Sequence, residues 1–225
     1  VLPTELGALL GQDLSCSDTK YQLISKDDLF SGDPRPKSSI SHLNVVGDHE
    51  GEAFLILPTK TSIIFGGTLI MLPQDQIEEN AKNETLDGEV ADAYGEVANI
   101  LAGVLTQVFL DKYSKSLRFV RTEVEELDSS AVDIASDLPF PAGQYFCCSS
   151  QLVMGEQPLG TIEIVVPAGL LDLVDPSQTE STPKEPEESA ATPPSEEQEK
   201  PAKEIPAEKV AAPAAPARPP FTDAK

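Results

Sequence analysis

The sequence predicts an α/β protein of the α+β type, and three observations carry that expectation. Asp87 to Tyr113 reads as one long amphipathic helix. Two strand hairpins lie on either side of it in the chain, and a glycine–strand–proline pattern occurs once in each. In the long helix, Asp87 stands at the N-cap, and first-turn acids suit the positive end of the helix dipole. At about 100° per residue, Val90, Tyr94, Val97, Leu101, Val104, Leu105 and Val108 form a broad apolar arc. Glu89, Asp92, Glu96, Asn99 and Gly103 line a narrow polar stripe opposite. Glu96 and Asn99 are three residues apart, so they sit side by side one turn apart. Gly95, Ala102 and Gly103 border the pair. A helix-interior glycine costs roughly 1 kcal/mol against alanine, which predicts that another surface comes close to this helix. A solvated face accounts for Glu89 and Asp92 by themselves. It accounts less well for Asn99, because asparagine competes with the helix backbone for hydrogen bonds.

The remaining elements follow in chain order. Pro3 to Gly11 is a short helix stopped by glycine. A strand is expected at Tyr21–Ser25, then a polar loop through Gly32, Pro34 and Pro36. Ser41–Val46 and Glu52–Leu57 are strands joined at Gly47-Asp48-His49-Glu50-Gly51. Pro58 ends the second, and Lys60–Leu72 is an apolar helix interrupted by Gly66-Gly67. Pro73 to Leu86 is a polar connection. After the long helix, Leu117–Leu127 alternates as a strand, and Asp128–Ala142 is a loop. Gln144–Met154 and Gly160–Val166 form a second hairpin around Gly155-Glu156-Gln157-Pro158, and Ala168–Val174 is a closing helix. Gly51–Pro58 (GEAFLILP) and Gly160–Pro167 (GTIEIVVP) match as a pseudo-repeat offset by 109 residues.

Composition bounds the function. Eleven of the 20 prolines lie beyond Asp175, among repeated Glu, Lys, Ala and Ser. Such a segment buries too little to offset its ordering entropy, so 1–175 is expected to be the folded domain and 176–225 a disordered acidic tail. The net charge is −22, from 38 acidic and 16 basic residues; the tail holds ten and six, leaving 28 against ten on residues 1–175. A surface that negative argues against nucleic acid and against anionic membranes. Cys16, Cys147 and Cys148 form no disulfide framework, and His42 and His49 have no metal-ligand spacing, so no metal site is assigned. No charged n-region precedes an apolar segment at the start, and no run approaches the roughly 20 apolar residues of a membrane span. The expected location is cytoplasmic.

The run Gly95-Glu96-Val97-Ala98-Asn99-Ile100-Leu101-Ala102-Gly103 resembles the signature helix of the CheC/CheX/FliY chemotaxis phosphatases. Their pattern is Asp or Ser, three residues, Glu, two residues, Asn; Asp92, Glu96 and Asn99 match it. The Asn-x-x-Ala-Gly continuation resembles the CheX branch. The family pattern has a proline where this chain has Thr122. The resemblance implies a CheC-like pseudo-duplicated sheet with long helices packed across it. It also implies a phosphatase that acts on the aspartyl phosphate of a CheY-like receiver domain. Asn99 would orient a water for in-line attack and Glu96 would pair with the receiver's lysine, while Asp92, Gly95, Ala102 and Gly103 would lie on the partner-binding face. No cofactor of its own is implied, Mg²⁺ coming with the receiver, and CheX-like members suggest a homodimer. In two-site members the N-terminal helix carries the first motif; here Glu5-Leu6-Gly7-Ala8 has alanine in the asparagine's place, which favours a single site. The alternative is a non-catalytic binding or scaffold protein, since the same fold serves in flagellar motor switch assemblies.

Overall fold

Unbroken runs of buried residues in the central strands follow from a sheet that is packed on both faces. The computed structural model of the protein describes residues 1–32 and 35–173. The expected tail and the boundary at 175 lie outside the described residues. The elements are α1 (Leu2–Leu10), β1 (Leu14–Ser25), α2 (Lys26–Phe30), β2 (Ser38–Gly47), β3 (Gly51–Pro58), α3 (Thr59–Leu69) and α4 (Gln74–Asn83). After them come α5 (Gly88–Lys112), β4 (Leu117–Leu127), β5 (Gln144–Met154) and β6 (Gln157–Pro167). The strands form a six-stranded sheet in the order β1-β5-β6-β3-β2-β4, with every neighbouring pair antiparallel.

Ala53, Leu55 and Leu57 of β3 join the larger core with residues of α1, α3 and α5. Phe54 and Ile56, pointing the other way, join a second core with Leu29 of α2 and Phe140 from the segment after β4. That segment was expected to be a plain loop. It is fastened to the domain by Lys26, which is 1% exposed and donates from Nζ to the carbonyls of Ser136 (2.7 Å) and Leu138 (2.8 Å). An ammonium this deeply buried is tolerated because carbonyl oxygens accept its protons.

The pseudo-repeat organises the sheet. β3 and β6 are its central strands, and Leu55 faces Ile164 across them. Those two positions are equivalent under the 109-residue offset, so the two halves meet about a pseudo-two-fold axis. Each half runs helix, outer strand, hairpin: α1, β1, β2–β3 and then α5, β4, β5–β6. The outer strands exchange partners, with β1 pairing to β5 and β4 to β2.

Several expectations need correction. β1 is 12 residues long and not confined to Tyr21–Ser25; most of it is exposed because it is an edge strand, so burial leaves little periodic signal. The Pro73–Leu86 connection contains α4, in which Ile77 alone is buried. Gly66 and Gly67 do not interrupt α3. They let it pack closely: a Cβ at Gly66 would stand 2.3 Å from the carbonyl oxygen of Val90 in α5, and one at Gly67 would stand 2.8 Å from Ile77 Cγ1. The close approach predicted for the long helix therefore occurs at glycines on its partner, and a Cβ at Gly103 would meet nothing within 4 Å. The closing helix is a 3-10 turn over Ala168–Leu171.

α5, 25 residues long, is also long and apolar enough by composition to cross a membrane, contrary to the expectation from the apolar runs. Its apolar arc is spent inside the fold: Tyr94, Val97, Ala98 and Leu101 are fully buried.

Candidate functional site

The buried arc of α5 fixes the direction of its polar stripe. With Val97, Ala98 and Leu101 anchored in the core, Asp92, Glu96 and Asn99 are driven to the surface, and all three are exposed. Asn99 Nδ2 donates to Glu96 Oε2 at 3.2 Å, the neighbour relation expected one turn apart. Further along, Thr106 ties the helix to β4, accepting from Phe119 N–H at 2.9 Å while its hydroxyl donates to the carbonyl of Ala102 at 3.0 Å.

Two residues expected on the partner-binding face are buried in the structure. Ala102 is 2% exposed and packs in the core, because it falls on the edge of the apolar arc beside Leu101 and Leu105. Gly95 is buried beneath Arg121 of β4, whose guanidinium carbon would lie 3.6 Å from a Cβ at that position. Asp92 and Gly103 are exposed as expected.

Arg121 is the member of the site that sequence reasoning missed. Its Nε–H donates to Asn99 Oδ1 at 2.8 Å, so Glu96, Asn99 and Arg121 form one hydrogen-bonded chain from a carboxylate through an amide to a guanidinium. Arg121 reaches α5 by plain alternation, two residues on from Phe119 and four from Leu117, and a β-bulge follows it in β4. Ser41 of β2 pairs with Val124, Leu43 pairs with Arg121, and the register between them takes up one extra residue in β4. Leu117, Phe119 and Arg121 face α5 by alternation, and the bulge brings Val124 back to that side, where strict alternation would send it to the other. The signal was present in the even spacing of Leu117, Phe119 and Arg121. The bulge also supplies a physical account of Thr122. The ladder skips His42 here, and the Thr122 hydroxyl donates to the His42 carbonyl at 3.3 Å, so the position does not depend on regular strand pairing. A bulge is also a place where sheets accept proline.

Between α5 and β4 lies a cleft of about 380 Å³ lined by Asp92, Glu96, Glu125 and Glu126 with Arg121 as its cation. Among the described residues Arg121 makes no ion pair and its two terminal amino groups make no hydrogen bond, despite these carboxylates.

Other reactive groups do not converge here. Burial, with the Glu163 carboxylate second, pushes the Cys147 thiol up to about 12, so it stays protonated at neutral pH. Cys16, Cys147 and Cys148 are free thiols. Among the described residues no group of three or more His, Cys, Asp and Glu could hold a metal ion.

No family model matches the sequence, and no curated protein matches it. Solved structures do share its fold. FliY of Thermotoga maritima superposes with a TM-score of 0.62 at 17% identity, covering 76% of this chain and 84% of that one. The FliM middle domain of Vibrio alginolyticus gives 0.56 at 11% identity, covering 77% and 92%. The FliM middle domain of H. pylori gives 0.54 at 9% identity, covering 77% and 89%. The protein therefore has the duplicated fold to which the signature helix pointed, that of FliY and the FliM middle domain. At these identities the likeness is one of fold.

Proposed function

We propose that the protein accelerates loss of the aspartyl phosphate from a CheY-like receiver domain, as a single-site, CheX-like phosphatase of chemotaxis or a related two-component pathway. The observation that carries this reading is the Glu96–Asn99 pair: two polar side chains, exposed and hydrogen-bonded to one another, on a helix whose opposite face is locked in the core. Hydrolysis of an acyl phosphate asks chiefly for positioning and charge stabilisation. The receiver brings the phosphate, a lysine and Mg²⁺. Glu96 pairs with that lysine and sets the register of α5, and the Asn99 amide holds the attacking water in line. The water oxygen bonds to phosphorus as the bond to the aspartate oxygen breaks. The aspartate leaves as its carboxylate, and the water's proton passes to inorganic phosphate or solvent. A neutral amide holds water without repelling the phosphoryl group. The acidic surface suits a partner with basic groups around its site, and the reaction belongs in the cytoplasm, where receivers work.

A second reading draws on the fold likeness to FliM, which in H. pylori has been crystallised in complex with FliG (TM-score 0.52). On that reading the domain is a binding module of a flagellar switch or signalling assembly. Steady-state release of inorganic phosphate from receivers fed with a small-molecule phosphodonor separates the two. The phosphatase raises release, and Asn99→Ala abolishes the rise while the receiver still binds. Unchanged release with every receiver of the organism supports the binding module instead.

A further inference from the structure

We propose that Arg121 is a positioning residue for Asn99, an inference that rests on the phosphatase reading and adds a third member to that site. An amide has two unlike ends: its oxygen only accepts and its nitrogen only donates. Here both ends are specified. Arg121 Nε–H occupies one side of Oδ1 at 2.8 Å, and Glu96 receives Nδ2 at 3.2 Å. Oδ1 has a second lone pair, so the arginine leaves it an acceptor for a water hydrogen.

The two constraints differ in permanence. Glu96 is the group that turns to the partner's lysine on docking, and from that moment it no longer specifies the amide. Arg121 then holds the orientation of Asn99 during the reaction. Its own placement is independent of docking: the regular register of β4 from Leu117 through Phe119 aims it at α5, and its guanidinium lies over Gly95. With four carboxylates lining the same cleft, the guanidinium still spends its Nε–H on the amide, so the contact is more specific than attraction to the nearest charge.

The other half of the molecule is an internal control. Arg121 pairs with Leu43 in the sheet, and Cys16 pairs with Leu152. Leu43 and Leu152 are equivalent under the 109-residue offset, so Cys16 of β1 holds the place that Arg121 holds in β4. β1 even carries its own extra residue just beyond, between Ser17 and Lys20. Where the helix offers Ala8 in place of Asn99, the strand offers Cys16 in place of Arg121. The amide and the guanidinium are present together in one half and absent together in the other.

The test uses the full chain in two arms. In the first, decay of a phosphorylated receiver is followed against protein concentration for wild type, Asn99→Ala, Arg121→Met and Arg121→Lys. Arg121→Met is expected to lower the saturating rate by about tenfold to a hundredfold, the range that misplacement of a reacting group produces. Arg121→Lys keeps the charge but lacks the in-plane Nε donor. It is expected to keep the half-saturating concentration at its wild-type value and to leave the saturating rate low. In the second arm, ¹⁵N relaxation of the Asn99 side-chain amide is measured in the protein alone, and Arg121→Met is expected to turn an ordered amide into a mobile one. If Asn99→Ala abolishes the acceleration while Arg121→Met keeps the full saturating rate, the positioning role is overturned and the phosphatase reading stands. If wild type accelerates no receiver, the phosphatase reading fails, and the positioning role with it wherever the amide is equally mobile with and without Arg121.

Discussion

The two outer helices, α1 and α5, occupy equivalent places in the duplicated sheet and differ in what they present. Each buries an apolar side and turns a glutamate outward, Glu5 in α1 and Glu96 in α5. One turn on, α1 presents exposed Ala8 and α5 presents Asn99; in the adjoining strand, β1 supplies Cys16 and β4 supplies Arg121. The apolar residues that make the fold are present in both halves, whereas the polar chain is present in one. A fold of this kind is maintained by its buried face, so its chemistry can be kept or dropped without loss of the architecture.

The largest expected effect sharpens that contrast. Asn99→Ala should lower the receiver dephosphorylation rate by on the order of a hundredfold, since it removes the group that places the water. Ala8→Asn, its mirror, should add nothing, because no arginine waits in β1; a gain from Ala8→Asn would break the comparison.

Glycines give the next effect, and with opposite signs. A Cβ at Gly7 in α1 would stand 2.8 Å from the backbone oxygen of Gln12, whereas one at Gly103 in α5 would enter open space. Gly7→Ala should cost about 1–3 kcal/mol in chemical unfolding. Gly103→Ala should add up to about 1 kcal/mol through helix propensity.

Alkali distinguishes the hairpins. β5 has Cys147 where β2, by the same offset, has Ser38. The Cys147 thiol is raised from 9.0 to about 12, mainly by burial. A group with a raised folded-state pKa contributes stability fully below its unfolded value and loses it as pH climbs towards the folded one. Unfolding midpoints should therefore fall between about pH 9 and 12, and Cys147→Ala should flatten that fall. Cys148, which burial also raises, and Tyr145, raised by burial to about 12, account for the slope that remains.

The smallest effect is on stability at the site itself. Glu96→Ala and Asn99→Ala alter exposed side chains and should move Tm by about a degree or two at most. A large drop would make the pair structural and dissolve the functional contrast between the helices.

How much of this was legible depended on where burial writes a periodic pattern. α5 was legible because it buries a regular face, and the two central hairpins because glycine turns and prolines bound their apolar runs. α4 was taken for a connection because a helix burying Ile77 alone carries almost no period. β1 was read at less than half its length because Asp18, Thr19 and Lys20 are exposed on an edge strand and Asp18 adopts a left-handed φ of 50°. Glu96 and Asn99 were found because an asparagine inside a helix is out of place by propensity. Arg121 was not, although alternation from Leu117 and Phe119 puts it on the helix-facing side, because a strand pattern does not show which polar group packs beside an arginine. The buried placement of Ala102 and Gly95 was missed for a related reason: the width of a helix's exposed stripe is set by what packs beside it.

The central claim is that the Glu96–Asn99 pair carries out chemistry on a partner's acyl phosphate. Its most direct test is single-turnover decay of a phosphorylated receiver domain from the same organism, with saturating wild-type protein and saturating Asn99→Ala side by side. The account predicts fast decay with wild type and the receiver's own slow decay with the variant, both proteins binding the receiver equally. Equal decay rates for the two proteins would contradict it.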